Sequence, residues 1–343
     1  MITFMEKEIR SQSMVLKEPL MMNESLLNQI VKAYKDREIN TIIYAARGSS
    51  DNAGVYFKYV IEINLGIPVS FSAPSIITIY SGKLSMKNTL VVGVSQSGEA
   101  EDVCIVLETA KKQGALTIGI TNHMTSKLAK VSDFTLNLAV NKEISVAATK
   151  TYTAELVVLA SLALKLCEQK NSTQRILDSI DLIQQITVNN GFISNTIDKF
   201  YKLKKVFVLG RGYVYGVAKE LALKFQETSY IQAQAFATSD FYHGPLAMLD
   251  QNSLVILLVS DDHSYNDSID LLERVKSITN NVIVITDKPN LECKDKIVIP
   301  KTEEMLSPFL FAVACQMIAL QLSLKNGFNP DKPRNLKKVT ITK

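Results

Sequence analysis

The sequence predicts two similar doubly wound α/β domains, each a parallel sheet between two helix layers. Three observations predict it. Short strands, β-branched and apolar on both faces, alternate with helical segments, as strands of a parallel sheet covered on both sides do. The same series of strand, loop and helix occurs twice in the same order. A chain of 343 residues that is 47% apolar is long enough for two domains of about 150 residues, each with its own core.

The elements follow in order. The first strand, TIIYAA from Thr41, leads into Arg47-Gly48-Ser49-Ser50 and a helical pattern; its counterpart, VFVL from Val206, leads into Gly210-Arg211-Gly212 and another. LVVGVS, ending at Ser95, matches LVILLVS, ending at Ser260, and LTIGIT, ending at Thr121, matches VIVIT, ending at Thr286. Gly48 and Ser95 are 47 residues apart, Gly212 and Ser260 48, and the next interval is 26 in both halves. Helices are expected over 101–113 and 265–278, and a helical segment over about 150–200 joins the halves. The last helix is expected over Ser307–Lys325, stopped by Asn326-Gly327, with an irregular proline-bearing tail beyond. The domain reading is therefore an N-terminal segment 1–27, a first domain 28–172, a helical linker 173–195, and a second domain 196–343 that includes the tail.

Net charge is +4 with no basic tract, so no nucleic-acid partner is expected. The four cysteines, Cys104, Cys167, Cys293 and Cys315, have no CxxC spacing. They read as free thiols of a reducing compartment, and the expected location is the cytoplasm. The charged N-terminus does not resemble a signal peptide, and no uninterrupted apolar run has the length of a membrane span.

Ligands of such sheets bind beyond the carboxyl ends of the strands, where the strand order reverses. Ser49 and Ser50 stand at one such end, and Ser95-Gln96-Ser97-Gly98 at another, just before Glu99-Ala100-Glu101-Asp102. Hydroxyls and backbone N–H groups at a helix start suit a phosphate, although an ordinary strand–helix turn capped by serine has the same composition. Neither glycine loop is a dinucleotide fingerprint and no Walker pattern occurs, so no nucleotide cofactor is expected. Glu220, Lys224 and Glu227 recur at i, i+4 and i+7 and share a helical face. They form either a solvated salt-bridge stripe or a site. His243, one of three histidines, lies beside a Gly-Pro turn and is either catalytic or structural. The histidines lack metal-ligand spacing, and no metal is expected.

Several motifs in order resemble the tandem form of the sugar isomerase (SIS) domain family: RGSSDNAGV (47–55), SQSGEAED (95–102), VAATKTYTAEL (146–156), LGRG (209–212), ELALKFQE (220–227), YHGPLA (242–247) and PDKPRNLKKVT (330–340). The resemblance is to the isomerase half of glucosamine-6-phosphate synthase and, more closely, to stand-alone SIS-type glucosamine-6-phosphate deaminases. It implies flavodoxin-like three-layer domains. It implies that Ser95, Gln96 and Ser97 bind a 6-phosphate, and that Ser50 and Val146 line the sugar site. Glu227 would move a proton between C1 and C2, assisted or oriented by Lys224 and Glu220. His243 would open the sugar ring, reaching into the site of a partner subunit in a homodimer. Lys338 matches a lysine that contacts the open-chain sugar and can form a Schiff base. The family usually has Thr where this chain has Ala100; Ser49 or Thr149 could supply the missing hydroxyl.

The chemistry calls for these residue types. Transfer between adjacent carbons needs one carboxylate that takes and returns the proton, a cation beside the enediol oxygen, and a group titrating near neutrality for ring opening. Ile2 follows Met1 where the synthase has a cysteine nucleophile, so no glutaminase domain is expected. The expected reaction is deamination of glucosamine 6-phosphate to fructose 6-phosphate and ammonium. The alternatives are a plain aldose–ketose isomerase, a galactosamine-phosphate deaminase, a fructosyl-amine-phosphate deglycase, or a non-catalytic phosphosugar sensor. The apolar helical stretches 152–167 and 309–322 give a further reason to expect association, since a helix apolar all round must be covered all round.

Overall fold

The computed structural model describes residues 2–188 and 191–338, except for the side chain of Phe192. The chain divides into two compact units. One comprises Met14–Lys142 and Lys150–Leu177; the other comprises residues 2–13, Glu143–Thr149 and Asp178–Lys338. Each is built on a single parallel sheet.

The sheet of the first unit contains β1 (Thr41–Ala45), β2 (Val69–Phe71), β3 (Thr89–Val94), β4 (Leu116–Thr121) and β5 (Phe134–Asn137), in the order β2-β1-β3-β4-β5. The second contains β6 (Lys205–Gly210), β7 (Gln232–Ala237), β8 (Ser253–Val259), β9 (Val282–Thr286) and β10 (Lys296–Val298), in the order β10-β9-β8-β6-β7. Counted from the first strand of each half, both sheets run 2-1-3-4-5, the flavodoxin-like order, with the switch point between the first and third strands. The three strand pairs matched in the sequence become β1 and β6, β3 and β8, and β4 and β9, at corresponding places in the two sheets. β3, β4, β8 and β9 are buried along their whole length. Aliphatic pairs such as Val92 beside Ile118 and Leu257 beside Val284 set the register.

The helices Ser49–Asn64 and Glu101–Lys112 follow β1 and β3, and Tyr215–Ser229 and Tyr265–Lys276 follow β6 and β8. Among the described residues, the region 150–200 holds four helices: Lys150–Leu166, Ser172–Asp181, Ile183–Val188 and Gly191–Ile197. The last helix is Ser307–Lys325, with Asn326 at its C-cap and Gly327 at φ +73°. Lys150–Leu166 packs on the helices Glu18–Lys35 and Ser49–Asn64, and Ser307–Lys325 packs on Tyr215–Ser229 and Phe4–Arg10. Both apolar helices are thus buried within one chain, and their composition gives no reason to invoke a partner. By length and mean composition Ser307–Lys325 could also cross a membrane, although Gln316 and Gln321 interrupt its apolar run; 89% of its apolar window is buried.

Candidate functional site

In the first unit, the carboxyl ends of β1 and β3 carry the serines. Gly48, at φ +57°, turns the chain so that a helix starts at Ser49. The buried Ser50 donates its hydroxyl to Glu155 Oε1 at 2.8 Å, and its carbonyl accepts from Tyr44 Oη at 2.7 Å. At the end of β3, Ser95 Oγ accepts the N–H of Gly98 at 3.1 Å, and Ser97 Oγ accepts that of Glu99 at 3.3 Å. The carbonyl of Gln96 is fixed by the N–H of Asn122 at 3.1 Å. Gly98 has φ +68°, and a Cβ there would lie 2.1 Å from Ser126 Oγ, so only glycine fits this turn.

The helix that follows begins at Glu101. Its cap, Ala100, offers no side-chain hydrogen bond. Both acids of its first turn are neutralised: Arg47 binds Asp102 at 2.7 Å and Lys127 binds Glu101 at 2.5 Å. A helix start so neutralised, with serine hydroxyls around it, is compatible with an anion.

In the second unit, Glu220, Lys224 and Glu227 lie on one face of the Tyr215–Ser229 helix. Lys224, 1% exposed, binds Glu220 Oε1 at 3.2 Å and also Glu227 Oε2. Burial alone would push the pKa of this ammonium down; the two carboxylates outweigh burial and hold it well above its ordinary value. Lys224 is therefore a fixed positive charge. The Glu220 side chain is 4% exposed and that of Glu227 21%, so Glu227 is the member of the trio open to solvent.

The same unit contains the Glu143–Thr149 segment and the tail. Thr149 is buried, and its N–H and hydroxyl reach Glu143 Oε1 at 2.9 and 3.0 Å. Val146 is half-buried. Lys338 Nζ donates to Glu143 Oε2. Val339 and Thr340, at the end of the tail motif, lie outside the described residues.

His243 is exposed, with its backbone N–H on the carbonyl of Asp240. It lines a cleft of about 390 Å³ with Arg211, Thr238, Ser239, Tyr242, Asp267 and Asp270. None of the Lys224 trio lines that cleft. A larger cavity of about 720 Å³, walled by residues such as Ile186, Ile193, Ile297 and Ile299, contains no candidate residue. Within the units, then, the structure joins Lys224 to Glu220 and Glu227, and Lys338 to Thr149 through Glu143. It does not join His243 to Glu227 in one chain. Sequence reasoning missed Glu143 and Glu155, since neither stands at a telling spacing from the residue that it holds.

Known proteins agree with this architecture. The SIS domain family matches residues 37–165 and 199–325. The glutamine–fructose-6-phosphate aminotransferase [isomerizing] of Aquifex aeolicus is 34% identical over 344 residues, which is 99% of this chain but 57% of that protein. The chain thus spans about half the length of the curated relatives that it matches. The C-terminal domain of glucosamine-fructose-6-phosphate aminotransferase from Francisella tularensis superposes with TM-score 0.85 at 27% identity, covering 97% of this chain and 98% of that domain. Glucosamine-6-phosphate deaminase from Thermotoga maritima superposes with TM-score 0.81 at 25% identity, covering 99% of this chain and 100% of that one. With two matched copies of the domain and the two sheets that they require, the chain belongs to the SIS domain family.

Proposed function

We propose that this chain acts on a phosphosugar and deaminates glucosamine 6-phosphate to fructose 6-phosphate and ammonium. The observation that carries the reading is the buried Lys224 charge bound to Glu227, a carboxylate open to solvent. Moving a proton between neighbouring carbons needs such a base next to a fixed cation. The likeness to the Thermotoga maritima deaminase over the full length of both chains supports deamination.

In this reading, Ser95, Gln96 and Ser97 hold the phosphate, with Ser49 and Thr149 candidates for the contact that Ala100 lacks. The phosphate does not react; its binding energy holds the reacting carbons in place. Ser50 and Val146 line the sugar site. Glu227 takes the C2 proton of the open-chain aldose and returns it at C1, while Lys224 stabilises charge on the C1 oxygen of the enolamine and Glu220 orients Lys224. Lys338 contacts the open-chain sugar. The C2 imine that results takes up water and releases ammonia, leaving the ketose phosphate. His243 opens the ring from the partner subunit of a homodimer; its exposure, and a cleft without Glu227, support that placement.

Incubation of the purified protein with glucosamine 6-phosphate should release ammonium and fructose 6-phosphate in equal amounts. Interconversion of an aldose and a ketose phosphate without ammonium release from the aminosugar would assign it as a plain isomerase instead.

A further inference from the structure

We propose that Glu143 is the positioning residue for Lys338: a buried carboxylate that ties the tail lysine to the Glu143–Thr149 segment and fixes where its ammonium points. The proposal rests on the reading above only for what Lys338 does once it is held.

The Glu143 side chain has no exposure, whereas that of Lys338 is 25% exposed. A carboxylate withdrawn from water must be matched by donors. Glu143 divides its two oxygens between two tasks. Oε1 accepts the Thr149 N–H at 2.9 Å and the Thr149 hydroxyl at 3.0 Å; Oε2 accepts Lys338 Nζ at 2.5 Å. The lysine lies 195 residues further along the chain.

The segment that carries Glu143 is itself held firmly. Glu8 accepts the N–H and the hydroxyl of Ser145 at 3.3 and 2.7 Å, and Gln316 Nε2 donates to the Thr149 carbonyl at 3.1 Å. All these groups are buried. A buried network whose members satisfy one another is rigid. The tail is anchored further back. Asp331 accepts the N–H groups of Phe4 and Met5, each at 2.8 Å, and the Arg334 guanidinium lies 4.3 Å from the Tyr230 ring centre. Residues 335–337 beyond Arg334 are exposed. A lysine on a flexible four-carbon stem at the end of such a stretch takes its direction from the group that binds its head.

Glu143→Gln separates the two tasks. The amide carbonyl still accepts from Thr149, but the amide NH₂ now faces the ammonium, donor against donor. Two measurements follow, with Lys338→Met as the second variant because it removes the lysine and keeps both Thr149 donors on Glu143 Oε1. The first is the rate of acetylation of Lys338 by sulfosuccinimidyl acetate, read by peptide mass spectrometry against its exposed neighbour Lys337. Glu143→Gln should raise the ratio severalfold. The second is turnover of glucosamine 6-phosphate. Glu143→Gln should lower kcat by about 10- to 100-fold, the scale of a misplaced positioning group, with KM nearly unchanged. The loss should not add to that of Lys338→Met in the double variant. An unchanged acetylation ratio, or losses that add, overturns the proposal. Should the wild-type protein turn over no aminosugar phosphate, the functional reading fails, and the acetylation ratio alone decides for or against Glu143.

Discussion

Lys224 and Glu227 form an ion pair on one face of the Tyr215–Ser229 helix, and Glu227 is its solvent-facing end. A proton-transfer base must reach substrate, and Glu220 on the same lysine is too deeply buried to do so. Glu227→Gln should therefore keep ligand binding and lose at least about 100-fold in turnover, the usual scale for removal of a general base. Near-normal turnover would remove Glu227 from the mechanism. Lys224→Met should act differently. It takes the buried cation away from Glu220 and should cost about 3–5 kcal/mol of stability, read as a lower denaturation midpoint.

The phosphate role proposed for Ser95, Gln96 and Ser97 has its own test. Ser97→Ala should raise KM for the phosphorylated sugar and change little for the same sugar without phosphate. Equal losses on both substrates would show that Ser97 does not touch phosphate. Ala100→Thr restores a hydroxyl at the uncapped start of the Glu101–Lys112 helix and should tighten binding or leave it unchanged. Gly98→Ala should damage the loop itself. Positive φ and a 2.1 Å approach to Ser126 Oγ together should cost about 1–3 kcal/mol, seen as a lower melting temperature even without ligand.

Which features were legible in the sequence follows from which signals are local. β3, β4, β8 and β9 are buried on both faces, so each reads as an unbroken apolar run, and their repeated spacing exposes the duplication. The outer strands carry no such run. Val69–Phe71 and Lys296–Val298 have three residues each, and Gln232–Ala237 opens with Gln alternating with Ala, the two glutamines exposed. The Lys224 trio was legible because helical periodicity places i, i+4 and i+7 together. Glu143 and Lys338 meet only through the tertiary fold, across 195 residues, and no pattern in the chain announces such a pair. Likewise Ser50 and Glu155 sit on different helices and meet by packing.

Acid stability of the first unit should depend on Asp133. Its carboxylate accepts the Thr117 N–H at 3.0 Å and the Thr117 hydroxyl at 2.9 Å, and pairs with Lys111 at 3.0 Å. Burial would push its pKa up; Lys111 and Thr117 outweigh burial and hold it below the ordinary carboxylate value of 3.8. A pKa depressed on folding adds stability that is present in full above the unfolded value. That stability is lost as pH falls through the folded value. Asp133→Asn should thus cost about 1 kcal/mol near neutral pH, after allowance for solvent screening of a partly exposed pair. Urea denaturation at about pH 7 and about pH 3 checks this. The gap between the two proteins should be narrower at the lower pH than at the higher. An equal gap at both would mean that the carboxylate charge contributes nothing.

The last prediction concerns His243. In one chain this residue is exposed and lines a cleft that lacks Glu220, Lys224 and Glu227. In the proposed reaction a ring-opening group must nevertheless reach the sugar on which Glu227 would act. A homodimer in which each chain lends His243 to the other meets that requirement. Glu227→Gln and His243→Ala should each be nearly inactive alone. Co-expressed, or unfolded and refolded together, they should regain activity. In a mixed dimer, one of the two sites then combines an intact Glu227 from one chain with an intact His243 from the other. Random pairing makes half of all dimers mixed, so about a quarter of wild-type activity is expected from complementation of this kind. Native mass spectrometry would verify that mixed dimers have formed. Verified mixed dimers with no more activity than either parent would show that each site is built within a single chain. A protein that remains monomeric at assay concentration and still turns over substrate would lead to the same conclusion.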